Sequence, residues 1–345
     1  AERIKQAEAN LGMAKAAYFP NVALTGNVQQ NRTSNRDPLT NQMMPEKGLK
    51  YHSETYTLAV AVSWEADIWG KLNRQSRAKY AQLLNSYAGR NLVQTSLISN
   101  IAITYYSLVA LDEQLRVTKE SISLLEKNVE TMEAMMEAGY LNINSAAVDQ
   151  TKSVLYSTKV SVPDLESQIR QLENSMCLML GRKPGPISRL AIQDQAVPQE
   201  LMYGVPVQMV AKRPDVQQAE LTFRSSFELT QAARASFYPS ITLSTGSMIG
   251  YGWASLSNFF DPGNIFASII GNITQPLFAR KQLTGNLKIA KAEQEASLLN
   301  FKKAVLTASK EVSDILFTYE SSMKKNDDRT KQVEATKSSV FATEE

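Results

Sequence analysis

Apolar residues along this chain keep to two distinct periods. Val22, Leu24 and Val28 alternate with Ala23, Thr25, Asn27 and Gln29. Tyr56, Leu58, Val60, Val62 and Trp64 alternate with Thr57, Ala59, Ala61, Ser63 and Glu65. The pattern returns at Ile241, Leu243 and Thr245, and again at Ile265, Ala267, Ile269, Gly271 and Ile273. A period of two with one apolar face predicts β-strands, here over 22–30, 56–65, 241–249 and 265–274. Elsewhere the period is seven. Tyr80, Tyr87, Ile101, Leu108, Leu115, Ile122, Val129 and Met136 share one comb, with Leu83, Leu97, Thr104, Leu111, Thr118, Leu125 and Met132 on its companion. A second seam runs through Val148, Leu155, Val162, Ile169 and Met176, with Thr151, Thr158, Leu165, Leu172 and Met179. These spacings predict a coiled-coil hairpin. Between Lys71 and Ala138 there is no proline and one glycine, Gly89. A helix there spans on the order of 100 Å at about 1.5 Å per residue. Gly139 is expected to end it in a left-handed turn, and Pro163 to bend or thin the returning helix. Gly181, Pro184, Gly185 and Pro186 stop the second helix.

The chain also repeats itself. Ala16–Thr25, with Tyr18-Phe19-Pro20, returns 219 positions later as Ala235–Ser244, with Phe237-Tyr238-Pro239. Ile68-Trp69-Gly70-Lys71 returns 209 positions later as Leu277-Phe278-Ala279-Arg280. A duplicated helix–strand–loop–strand–helix unit accounts for both, the first copy having the longer loop. The expected organisation is a helix over 1–19, a strand pair over 20–69, a long helical hairpin over 70–181 and a short proline-punctuated segment over 182–213. A helix over 214–238, a second strand pair over 239–279 and a long helix over 280–345, expected to be cut short, follow.

Alternating strands alone fit a half-buried soluble sheet as well as a membrane barrel. The helices change the balance, because a soluble four-stranded sheet has no use for roughly 100 Å of helix on one side. Strands enter lipid only as a closed barrel, and four are too few to close around a pore. The pattern therefore points to an oligomeric channel with a helical tunnel. Composition removes other classes. Among 345 residues, 37 Lys and Arg against 34 Asp and Glu leave a net charge of +3, which gives no nucleic-acid surface. A single cysteine, Cys177, excludes an intrachain disulfide and a thiolate metal cluster, and it reads as a small buried hydrophobe. A single histidine, His52, read as a solvated loop residue, excludes a His-rich metal site. No Ser–His, metal-ligand or phosphate-loop constellation is visible, so no enzyme, cofactor or metal is expected. No apolar run approaches the roughly 18 residues of a membrane-spanning helix. The opening AERIKQAEANLGMAKA does not read as a signal peptide, so the sequence is expected to be an internal piece.

Several motifs carry a family resemblance. Lys212-Arg213-Pro214-Asp215-Val216-Gln217-Gln218-Ala219-Glu220 resembles the RRPDV..AE signature of TolC-like outer-membrane efflux factors, in their NodT-type lipoprotein branch. Leu180-Gly181-Arg182-Lys183-Pro184-Gly185, Glu65-Ala66-Asp67-Ile68-Trp69-Gly70-Lys71, Gln275-Pro276-Leu277-Phe278 and the repeated aromatic–proline junctions match as well. The resemblance implies a homotrimeric transmembrane β-barrel with four strands per chain, continued by a long periplasmic α-helical coiled-coil barrel. It implies an equatorial region over 182–213. It further implies outer-membrane localisation, anchoring through an N-terminal lipidated Cys that is absent here, and passive export of drugs or other small solutes. The implied partners are outer-membrane lipid, a periplasmic adaptor of the membrane-fusion type and an inner-membrane transporter of resistance-nodulation-division type. A structural coiled-coil protein or a type I secretion-type channel component is the alternative reading.

In the family, the turn between the paired helices is the adaptor-facing tip. Here that turn carries Gly139, Tyr140, Leu141, Asn142, Asn144 and Ser145. Ser145 stands where many relatives have an Asp or Glu, and Asn144 or Ser145 also suits an N-cap. Arg213, Pro214 and Asp215 read as a helix start, with proline at the first position and an acid facing the dipole. Tyr56 and Trp64 fit an interfacial aromatic belt or ordinary sheet packing. Met132 and Met136 lie on the seam and read as core.

Overall fold

Long glycine-poor stretches form single helices, and the β-branched alternating stretches form one sheet. The computed structural model describes residues 1–32, 52–139, 144–195, 210–244, 249–253 and 259–344. The elements are α1 (Glu2–Ala16), β1 (Asn21–Arg32), β2 (His52–Ala66), α2 (Lys71–Glu137), α3 (Ser145–Met179) and α4 (Pro214–Ala235). β3 (Ser240–Ser244), β4 (Ile249–Trp253), β5 (Ile265–Phe266), β6 (Ile270–Thr274) and α5 (Gln282–Glu344) follow. The chain divides into two compact units, Ala1–Arg90 with Val205–Glu345, and Asn91–Gly204.

The first unit holds the sheet, antiparallel throughout. β1 pairs with β2 from Asn21–Ser63 to Arg32–His52. The other side of β2 pairs with β3 at Ser63–Ser244 through Ala66–Ile241, and with β4 at Tyr56–Trp253 through Val60–Ile249. β3 pairs with β6, and β4 with β5. The six segments thus lie in four rows, β1, β2, β3/β4 and β6/β5. Two expectations are corrected. The strand expected over 265–274 is split in two by residues 267–269, and residues 245–248 of the strand expected over 241–249 lie outside the described residues. His52, expected in a loop, is the first residue of β2.

Helices flank the sheet in this unit. α4 lies against the start of α2, where Asn85 donates through Nδ2 to the Gln218 carbonyl at 2.8 Å and Gln82 donates to Ser225 Oγ at 3.2 Å. The packed face of α2 here is small and polar: Ala78, Ala81 and Ala88 are buried, with Leu83. Tyr80 and Tyr87, placed on the seam by the heptad, are exposed. The comb fails there because the face of α2 that meets α4 is set by small side chains allowing close approach. Glu228 of α4 is buried between Arg74 (2.9 Å) and Arg77 (3.0 Å) of α2. Thr230, fully buried, donates to the Ala290 carbonyl at 3.0 Å and ties α4 to α5.

In the second unit the heptads hold from Ile101 onward, while Leu97, also placed on the seam, is exposed. Leu108, Val129, Val148, Leu155, Leu165 and Met176 are buried along the seam. Leu108, Met176, Cys177 and Ile187 form one cluster, with Ile101, Tyr105, Ile169, Leu172 and Met179 packed against it. Cys177 is buried, and its thiol points at the Gly185 carbonyl at 3.4 Å. Pro163 is exposed inside a helix that continues unbroken through it. Met136, expected in the core, is exposed. One stretch of α2 is, contrary to the sequence expectation, long and apolar enough to cross a membrane by length and composition alone. Val93, Ile98, Ile103 and Tyr106 are exposed apolar residues of α2 outside the combs, which raises its apolar content beyond the seam.

Candidate functional site

The register sorts the sheet into two faces. Because side chains alternate, residues sharing a rung point the same way. Val22 meets Val62, Leu24 meets Val60, Gly26 meets Leu58 and Val28 meets Tyr56. Across β2, Leu58 meets Tyr251, Tyr56 meets Trp253, and Trp64 meets Leu243. Ala23, Thr25, Asn27, Thr57, Ala59, Ala61, Ser63, Thr242, Ser244, Gly250 and Asn272 fall on the opposite face, where Phe266 and Ile270 are the apolar exceptions. Gly250 is required by close approach: a Cβ there would lie 2.3 Å from the Leu58 carbonyl oxygen. On the apolar face, Tyr56 and Trp253 stand at one end and Trp64 at the other. Eight residues at about 3.3 Å each separate Tyr56 from Trp64, roughly 26 Å along the strand. Beyond Tyr56 this face turns polar, with Glu54 opposite Gln30. Tyr251, Phe259 and Phe260 form an aromatic cluster with ring centroids 5.0 to 6.2 Å apart.

The hairpin of the second unit is tied by charge as well as by its seam. Glu133 pairs with Lys152 at 2.5 Å, Glu126 with Lys159 at 2.6 Å and Lys119 with Glu166 at 3.0 Å. Each step moves seven residues back on α2 and seven forward on α3. The next rung brings two acids together, Asp112 and Glu173. Arg189, from the segment after α3, bridges them, with Nη1 2.8 Å from Glu173 Oε1 and Nη2 2.7 Å from Asp112 Oδ1. Burial alone would push the Glu173 carboxyl up. Hydrogen bonds from Arg189, from the Ile187 N–H and from Arg170 outweigh it and hold the group below the usual glutamate value. Asp112, Glu173 and Arg189 were missed in the sequence, although the acid-on-acid rung is visible once the heptads are aligned antiparallel.

At the hairpin turn, Gly139 ends α2 with φ +82°, where no Cβ neighbour lies within 4 Å. Asn144 is the N-cap of α3, its side chain accepting from the Ala147 N–H at 2.9 Å, and Ser145 is the first helical residue. Tyr140, Leu141 and Asn142 lie outside the described residues. Thr151 donates to Met132 Sδ at 3.2 Å in the seam beneath.

The three residues of the Arg-Pro-Asp motif come together in the first unit. Pro214 opens α4. Arg213 Nη2 donates to Asp215 Oδ2 at 2.8 Å and to Glu311 Oε2 of α5 at 2.6 Å. The Arg213 hydrogen bond, with help from the Val216 N–H, holds the Asp215 carboxyl below its ordinary value against the opposing effect of burial. The motif fastens a helix start to a neighbouring helix.

The outer membrane efflux protein family profile matches residues 1–182 and 205–345. The probable outer membrane lipoprotein SilC of Salmonella typhimurium is 27% identical over 315 residues, 91% of this chain and 65% of that protein. The cation efflux system protein CusC of Escherichia coli K12 is 27% identical over 271 residues, 78% of this chain and 58% of its own length. The chain thus spans somewhat under two thirds of these curated relatives. The solved structure of the outer membrane protein VceC of Vibrio cholerae shares the fold, with a TM-score of 0.77 at 22% identity, over 92% of this chain and 74% of that one. With nearly its whole length covered by the profile and its strands and long helices superposing on such a structure, this chain belongs to the outer membrane efflux protein family.

Proposed function

We propose that this chain is one subunit of a trimeric outer-membrane channel of a tripartite pump. It passively conducts drugs or other small solutes from an inner-membrane transporter and periplasmic adaptor to the outside. The sheet carries the reading: one face is apolar and edged by aromatics, the other is small and polar, and neither outer edge meets a strand among the described residues. Open edges are untenable in lipid and four rows cannot close a pore, so copies must complete one another's sheets. Three copies give twelve strands, with the apolar face in lipid and the polar face toward the lumen. The connections from β1 to β2 and from β4 to β5 then lie outside the cell, and the Gly139–Ser145 turn faces the adaptor. The transporter is of resistance-nodulation-division type, and the subunit is anchored through a lipidated cysteine upstream of Ala1.

The test is complementation in cells lacking their own outer-membrane efflux channels, with the cognate adaptor and pump present. Trimer yield and dye export are measured together. Wild type should form trimers and export. Tyr140→Asp or Asn142→Arg should leave trimers intact yet reduce export, whereas Leu155→Asp should damage the helical hairpin itself. Trimers that never export would reject the channel reading, and normal export by both turn variants would reject adaptor docking there. A tag near Asn41 should be reached by antibody on intact cells.

A further inference from the structure

The internal repeat makes a joint inside the chain whose counterpart is open. Each copy enters the sheet through an aromatic pair and a proline, Tyr18-Phe19-Pro20 or Phe237-Tyr238-Pro239, and leaves it through Ile68-Trp69 or Leu277-Phe278. Within each copy the departing strand is tied to its own entrance. Trp64 Nε1 donates to the Tyr18 carbonyl at 2.8 Å, and Gln275 Nε2 donates to the Phe237 carbonyl at 3.1 Å. Between copies, the exit of the first is seated on the entrance of the second. The Trp69 ring stacks on Tyr238, centroids 4.9 Å apart and planes 19° apart, and its indole N–H donates to the Pro239 carbonyl at 2.7 Å. This follows from β2 lying beside β3.

The reciprocal joint, exit of the second copy on entrance of the first, is not made within the chain. Leu277 is 93% exposed, Phe278 87% and Phe19 72%. Among the described residues β6 pairs only with β3, and β1 only with β2. Four rows cannot curl round to bring β6 beside β1 of the same chain, so the occupant is a second copy. The backbone after Phe278 is also committed. Arg280 and Lys281 take φ +45° and +63°, in the left-handed region, whereas the first copy turns at Gly70, φ +73°, one position earlier in the repeat. Non-glycine residues hold such values only where their surroundings impose them.

We propose that Leu277-Phe278 seats on the Tyr18-Phe19-Pro20 junction of a neighbouring copy, as Trp69 seats on Tyr238-Pro239 of its own chain. The joint then alternates within and between subunits around the ring. Lacking an indole N–H, Phe278 makes an apolar seat, without the hydrogen bond that Trp69 gives Pro239. The proposal rests on the trimer reading above.

The experiment uses the full chain in membranes, with Cys177 replaced by Ala. Phe19→Cys and Phe278→Cys are placed on separate co-expressed chains and treated with a short bismaleimide, and native mass is measured in parallel. The expected result is a covalent dimer only when both variants are present. Trimers of native mass without that cross-link would overturn this joint while leaving the channel reading intact. Absence of any trimer would overturn both. As a second measurement, Phe278→Asp should cut trimer yield at least tenfold, while Phe278→Trp should keep it, and equal yields for the two would also overturn the proposal.

Discussion

Replacing Arg189 by methionine keeps much of the side chain's apolar stem and removes the cation that bridges Asp112 and Glu173. Arg189 and Glu173 are nearly enclosed, their side chains 12% and 9% exposed, whereas Asp112 is 41% exposed. Removing one partner of a buried pair costs about 3–5 kcal/mol, because the remaining charge stays desolvated. Two features reduce that figure. Asp112 is screened by water, and Glu173 keeps the Ile187 N–H at 3.3 Å and Arg170 at 3.4 Å. We expect a loss of about 2–3 kcal/mol, local to the second unit. Hydrogen exchange reads this directly: amide protection around Leu108 and across 173–190 should fall roughly 30- to 160-fold, at about 1.4 kcal/mol per tenfold. The pH dependence carries a sign. In the wild type Glu173 sits below its unfolded value, so its contribution is present above that value and fades as pH falls through the folded one. Without Arg189, burial pushes the carboxyl up and protonation relieves the strain. The gap between the two proteins should therefore be widest near neutral pH and shrink as pH falls through the variant's raised carboxyl value toward the wild type's lowered one. Adding Glu173→Gln to the variant should restore at least half of the lost protection. Protection within threefold of wild type, or no recovery in the double variant, would refute the bridging argument.

Three further outcomes follow from the geometry. Val60→Arg puts a charge on the apolar face and should impair membrane assembly by about 2–4 kcal/mol, far more than Ala61→Arg on the opposite face; assembly assays on heat-modified gels would show it. Gly250→Val drives a Cβ to within 2.3 Å of the Leu58 carbonyl and should reduce assembled protein, whereas Gly271→Val, with nothing within 4 Å, should not. Glu126→Lys should lower hairpin protection by about 0.2–1 kcal/mol, and the double exchange with Lys159→Glu should return it, as read by the same exchange measurement.

Periodicity located most of the elements. The seam from Ile101 to Met132 and from Val148 to Met179 was legible because a coiled coil repeats one local rule, each residue facing its neighbours three and four positions away. The turn chemistry was equally local. Gly139 takes the left-handed conformation, Asn144 caps α3 and Pro214 opens α4, as their residue types require. The strands were legible up to their interruptions. Tyr80 and Tyr87 obeyed the heptad spacing yet are exposed, since the partner of α2 there is α4 and not a coiled-coil mate. Nothing local in the sequence distinguishes those two partners.

Tertiary structure decided what depends on which segments meet. Register put Val22, Leu24, Val60, Tyr56 and Trp253 on one face, since a slip of one residue would turn each strand over. Asp112 and Glu173, 61 positions apart in the chain, become one site because antiparallel helices align their heptads. Arg189 completes it only because the chain after α3 folds back onto that rung. Backbone preference and hydrophobic period act over a few residues and can be read one segment at a time. Charge pairing and sheet register are energies between distant segments, and they take a value only once the fold has brought those segments together.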